Sequence, residues 1–197
     1  MRQFLLTCLL LSMLTGCSAV PGQAIDQTRW QWPPVETTPQ LQAALTPLHD
    51  PAETARYLQR NFTFSENYDL ACFLSPDEFV VARRGACTAY ARFWLAALGH
   101  MGLEGHFVAI WGPTDSHAVA IFRDAAGRYR LASNDRYDGD LDLDPQRQGL
   151  GAAAKSAAQQ FFGNDWRTIL FFDDAGRISG RLDAAPLAAE DFMLDVH

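Results

Sequence analysis

Residues 85–102 read Gly85-Ala86-Cys87-Thr88-Ala89-Tyr90-Ala91-Arg92-Phe93-Trp94-Leu95-Ala96-Ala97-Leu98-Gly99-His100-Met101-Gly102. Tyr90, Ala91, Trp94, Leu95, Leu98 and Met101 recur at helical spacing on one face, and Gly102 is placed to stop the helix. So apolar a helix is mostly buried, and Cys87 stands at its beginning. Downstream the period changes. His106–Trp111, His117–Arg123 and Tyr129–Ala132 are short apolar runs of strand type, with Asp124-Ala125-Ala126-Gly127 as a hairpin turn between the last two. An Ala-rich helix over 150–162, a strand over Trp166–Phe172, a turn at Asp173-Asp174-Ala175-Gly176 and a last helix over Pro186–Phe192 follow. Upstream, Asp50-Pro51-Ala52-Glu53 and Ser75-Pro76-Asp77-Glu78 each give an N-cap, a proline at the first helical position and a glutamate at the third. Helices first and strands after them read as α+β, with the Cys87 helix packed on an antiparallel sheet.

The 197 residues suit one domain of ordinary size with its own core. A net charge of −7 argues against a sequence-independent nucleic-acid binder and against electrostatic docking on anionic lipid. Residues 1–16 have one early cation, Arg2, and a mainly apolar run from Phe4 to Leu14, a secretory signal too short to span a membrane. Leu14-Thr15-Gly16-Cys17 resembles the bacterial lipobox, which implies a lipidated Cys17 as the mature first residue; an ordinary signal peptide cut near Ala19 is the alternative. By the same resemblance Ser18 implies sorting to the outer membrane, with the body facing the periplasm. Residues 17–38, with Pro21, Gly22, Pro33 and Pro34, read as a tether, and 39–197 as the folded domain. Trp30 and Trp32 either pack back on that domain or rest at the membrane interface. The mature chain keeps Cys72 and Cys87, which are either one disulfide or a nucleophile and a bystander.

A thiol in the first turn of a helix lies at the positive end of its dipole, and Arg83 and Arg84 lie just upstream. Both predict a stabilised thiolate at Cys87, with unpaired first-turn N–H groups able to receive an oxyanion. A nucleophilic cysteine also needs an imidazole and a group to orient it. His117, opening an apolar strand, is the candidate; a satisfied structural histidine is the alternative. With a two-residue turn at Ala125-Ala126, His117 faces Asn134; with a three-residue loop closed by Gly127, it faces Asp135. Both registers stay open. Asp138, Asp140, Asp142 and Asp144 read as a solvated acidic loop, since Leu143 and Gly149 break the calcium-loop pattern.

Arg84-Gly85-Ala86-Cys87-Thr88-Ala89-Tyr90-Ala91, then Ser116-His117-Ala118-Val119, then Ser133-Asn134-Asp135 resembles the transglutaminase-like cysteine-enzyme superfamily over roughly Asp50 to Tyr137. The resemblance implies a papain/transglutaminase-like core, Cys87 as nucleophile and His117 as general acid/base. The family's aspartate falls near Ser133, a poor orienter, so the third role is expected at Asn134 or Asp135. Ala86 and Val119 also depart from the family pattern. No metal-ligand spacing and no nucleotide fingerprint stand in the sequence, and no cofactor is expected. The expected protein is an envelope-anchored thiol enzyme that hydrolyses or transfers amide acyl groups of peptides or proteins. The rivals are a non-catalytic binding module on the same fold, with a Cys72–Cys87 bridge, and a purely structural envelope lipoprotein.

Overall fold

In the computed structural model, the described residues are 32, 37–65, 74–141 and 149–184. Among the described residues, four helices precede the main sheet: α1 (Pro39–Leu45), α2 (Pro51–Asn61), α3 (Pro76–Ala82) and α4 (Cys87–His100). Asp50 and Ser75 accept the N–H of Glu53 and Glu78, so the two cap signals start α2 and α3, and the Glu78 side chain completes a capping box. Gly102, at φ +73°, turns the chain out of α4. Two-residue segments β1 (Thr63–Phe64) and β2 (Arg84–Gly85) pair in parallel just before α4.

The main sheet has β3 (Gly105–Trp111), β4 (Ser116–Arg123), β5 (Tyr129–Ser133), β6 (Arg136–Asp140), β7 (Thr168–Phe172) and β8 (Ile178–Asp183), with helix α5 (Leu150–Phe162) between β6 and β7. Its spatial order is β6-β5-β4-β3-β7-β8, with every neighbouring pair antiparallel. Mixed helices with an antiparallel sheet are thus the architecture. Strands β6 and β8 were not read from the sequence. The first of the four alternating aspartates are in β6, not in a loop, and 142–148 lie outside the described residues. The Pro186–Phe192 helix, residues 1–31 and Cys72 also lie outside them. Among the described residues no helix is long and apolar enough to cross a membrane.

Strand alternation gives each sheet face its own helical cover. Ala109, Ala118, Ala120, Phe122 and Ala132 face the α4 side, where Tyr90, Phe93, Trp94 and Leu98 are fully buried. Val108, Ile110, Val119, Ile121 and Leu131 face α5, which approaches through Ala153, Ala154, Ala157 and Ala158. Small residues thus meet large ones on both faces, which is how a close-packed layer avoids voids. Trp32 extends the α4 side over the sheet. It stands with its ring centroid 4.6 Å from Phe107 and 5.5 Å from Phe172, and the Arg92 guanidinium lies 4.9 Å above it. Of the two placements open to Trp32, this one packs back on the domain.

Gly85 is required by packing. A Cβ there would stand 2.8 Å from Ala89 Cβ and 2.9 Å from the Phe79 ring, atoms that hold α4 against α3. Gly85→Ala is therefore expected to lower stability by about 1–3 kcal/mol. Urea unfolding measures it, and an unchanged midpoint would refute the close approach.

Candidate active site

Cys87 is the first residue of α4 and is 7% exposed. Its N-cap, Ala86, offers no side-chain oxygen to the first turn. The N–H groups of Cys87 itself, Thr88 and Ala118 point at the sulfur instead, each favouring the thiolate. Burial outweighs all three and pushes the thiol up, and the Asp115 carboxylate pushes in the same direction. The expected pre-ionised thiolate is therefore not what this seat gives. Arg83 and Arg84 are exposed, and Arg83 donates to Asn61 Oδ1 at 3.3 Å, so these cations serve α2 and solvent rather than the sulfur. Cys87 is a free thiol.

His117 enters from the second position of β4. Its Nε2 lies 2.7 Å from the Oγ of Ser133, which is 5% exposed, and its ring packs 4.4 Å from Phe161 of α5. Desolvation lowers the imidazole to about 4, against a smaller upward pull from Asp115. Along β4, His117 shares the α5 side with Val119 and Ile121, whereas Cys87 packs with Ala118 on the α4 side. What links the two positions is the backbone: the N–H that reaches the sulfur is that of Ala118, the residue after His117.

The β4–β5 register pairs Ala120 with Ala132 and Arg123 with Tyr129, the three-residue loop closed by Gly127. Extended along the strand, that register would place Asp135 opposite His117, but β5 ends first. Asn134 is left-handed at φ +47°, and Asn134-Asp135 forms the two-residue turn that pairs Ser133 with Arg136. Its carbonyls are pinned by helices: Trp94 Nε1 donates to Asn134 O at 2.7 Å, and Gln59 Nε2 to Asp135 O at 3.0 Å. The Asn134 Oδ1 is buried with no hydrogen-bond partner among the described residues, and the Asp135 charge acts on Tyr90, whose hydroxyl burial raises to about 12. The ring's partner is therefore Ser133, in place of the expected Asn134 or Asp135. The signal in the sequence was the turn chemistry of Asn134-Asp135 itself.

Asp115, in the β3–β4 connection, was also not foreseen, although its charge acts on both Cys87 and His117. Among the described residues no cluster of three His, Cys, Asp or Glu could hold a metal ion. A separate concavity of about 450 Å³, lined by Gln40, Tyr57, Val80 and Arg83 among others, has neither Cys nor His in its wall.

Compared with known proteins, the chain matches no family model and no curated protein. Among solved structures it is similar to one from Cytophaga hutchinsonii described as a "Putative Cysteine Protease", with a TM-score of 0.44 and 14% identity. The match covers 59% of this chain and 45% of that one. A likeness of that size carries no argument about this chain's chemistry.

The His117 shift has a consequence for stability. Between about pH 6.5 and 4 the unfolded chain binds a proton that the folded imidazole refuses, so stability rises with pH across that window. The expected loss on acidification from pH 7 to 4 is roughly 3 kcal/mol from this group. It is separable from Asp124, held by the Arg128 and Ala126 N–H groups and Arg130 at about 2, which gives way at lower pH. Urea unfolding of wild type and His117→Gln at several pH values reads the difference. Identical slopes from pH 6.5 to 4.5 would refute it.

Proposed function

We propose that the protein is a transglutaminase-like thiol enzyme acting on amide bonds of peptides or proteins, with Cys87 as nucleophile and His117 as its base. One observation carries this: three backbone N–H donors converge on a helix-borne thiol, one of them from Ala118, the residue after a buried strand-borne imidazole. Because burial favours both neutral forms, the resting pair is thiol and imidazole. Proton transfer then accompanies attack. His117 takes the thiol proton as sulfur bonds to the carbonyl carbon, and returns it to the amine nitrogen as the C–N bond breaks, leaving a thioester. Water, its proton passing to His117, gives the acid and frees the thiol; an amine in its place gives a new amide. The Cys87 and Thr88 N–H groups, which rest on the sulfur at the first turn of α4, turn to the oxyanion as it forms beside that sulfur. The lipobox-like Leu14–Cys17 supports a lipid anchor, and with it substrates in the cell envelope, on the periplasmic face of the outer membrane.

A non-catalytic binding module is the second reading. It is favoured by the alternation that sets His117 on the α5 side of the sheet and Cys87 on the α4 side, and by the thiol's burial.

The two readings separate with p-nitrophenyl acetate, an activated ester that needs no knowledge of the substrate. The enzyme is expected to release nitrophenol in a burst and to carry the acetyl group on the Cys87 peptide by mass. His117→Ala is expected to slow that step on the order of 10²- to 10⁴-fold. Equal rates in wild type and His117→Ala, or an acetyl group found elsewhere, would favour the binding module.

A further inference from the structure

We propose that Ser133 is the positioning residue of this site: its hydroxyl fixes the His117 ring through Nε2, leaving Nδ1 as the nitrogen that exchanges a proton with the Cys87 thiol. This rests on the enzymatic reading above. The geometry is specific. Ser133 is the last residue of β5, lies on the same sheet face as His117, is 5% exposed, and stands 2.7 Å from Nε2. The ring also packs against Phe161, so its orientation is set by one hydrogen bond and one packing contact. For Nδ1 to accept a proton, Nε2 must carry one, and Ser133 Oγ accepts that N–H. A hydroxyl can do this without bringing a charge. The groups that face the ring are Ser133 from β5, Phe161 from α5, Ile110 opposite it on β3, and the Asp115 carboxylate from its own end of β4.

A serine here differs in consequence from a carboxylate. It orients the imidazole but gives the imidazolium no counter-charge, so the base stays unprotonated well into the acid range. The test combines ¹⁵N NMR of the His117 ring with the pH profile of acylation by p-nitrophenyl acetate, on the full chain. The wild type is expected in the Nε2–H form. Ser133→Ala should relax that preference and slow acylation on the order of 10- to 100-fold with KM little changed; Ser133→Thr should restore both. Ser133→Asp should move the acid limb of the profile up by about one to three pH units. An Nδ1–H ring in wild type overturns the proposal, as does a Ser133→Ala variant with an unchanged tautomer, or an unmoved limb in Ser133→Asp. The wild-type spectrum needs no variant to fold. Should wild type fail to acylate at all, the enzymatic reading falls, while the tautomer and its response to Ser133→Ala still uphold or overturn the coupling of the two side chains.

Discussion

The close seating of α4 on the sheet is the constraint from which the rest follows. It depends on what is missing from the strands: Ala109 and Ala118 present only methyl groups in the cluster that holds Cys87 and Ala91 of α4, and Ala120 and Ala132 do so in the one that holds Trp94 and Leu98. Gly85 and Gly105 carry the same logic into the ends of the helix, since a Cβ at either would stand within 3 Å of its neighbours. Close approach brings the Ala118 N–H to the Cys87 sulfur and lets the Trp94 indole reach the Asn134 carbonyl. That second bond fixes where β5 stops, and so fixes that Ser133, not a later residue, is the side chain beside His117.

The same burial sets the electrostatic character of the site. Three N–H dipoles and a helix terminus favour a thiolate, yet the apolar seat of Cys87 costs the anion more than they return. The imidazole is treated alike, and loses its cation. A carboxylate on Nε2 would have opposed that loss; a hydroxyl does not. The three groups are therefore mutually consistent: thiol, neutral imidazole and hydroxyl, none of which demands a buried counter-charge.

Much of this was legible in the chain. The choice between the two hairpin registers was not among the legible features, and the structure takes the loop closed by Gly127; two cap signals started α2 and α3, and helical periodicity located α4. Local chemistry decides those features, so sequence suffices. The strands β6 and β8 were missed because they are edges, half polar and without a sustained apolar run. At the site, the error lay in treating β5 as longer than it is. Cross-strand arithmetic assumes that both strands continue, and a left-handed Asn134 ends one of them. The thiol's direction was missed for a different reason: dipole and upstream charge are visible in sequence, but desolvation is a property of the packed layer.

Alternation along β4 also constrains how the thiol and the imidazole can cooperate. Side chains 117 and 118 leave opposite faces of the sheet, so no proton passes between Cys87 and His117 through the sheet interior. The proposed chemistry therefore needs a route around the sheet's end, where β4 begins at Ser116 and the preceding connection carries Asp115. His117 stands near that end, at the second position of its strand; deeper in, Val119 and Ile121, of the same parity, are fully buried in the cluster that α5 covers. The hydroxyl beside the His117 ring comes from the last residue of β5. In an antiparallel pair the start of one strand lies beside the end of the other, so His117 and Ser133, of shared parity, meet at the sheet's rim.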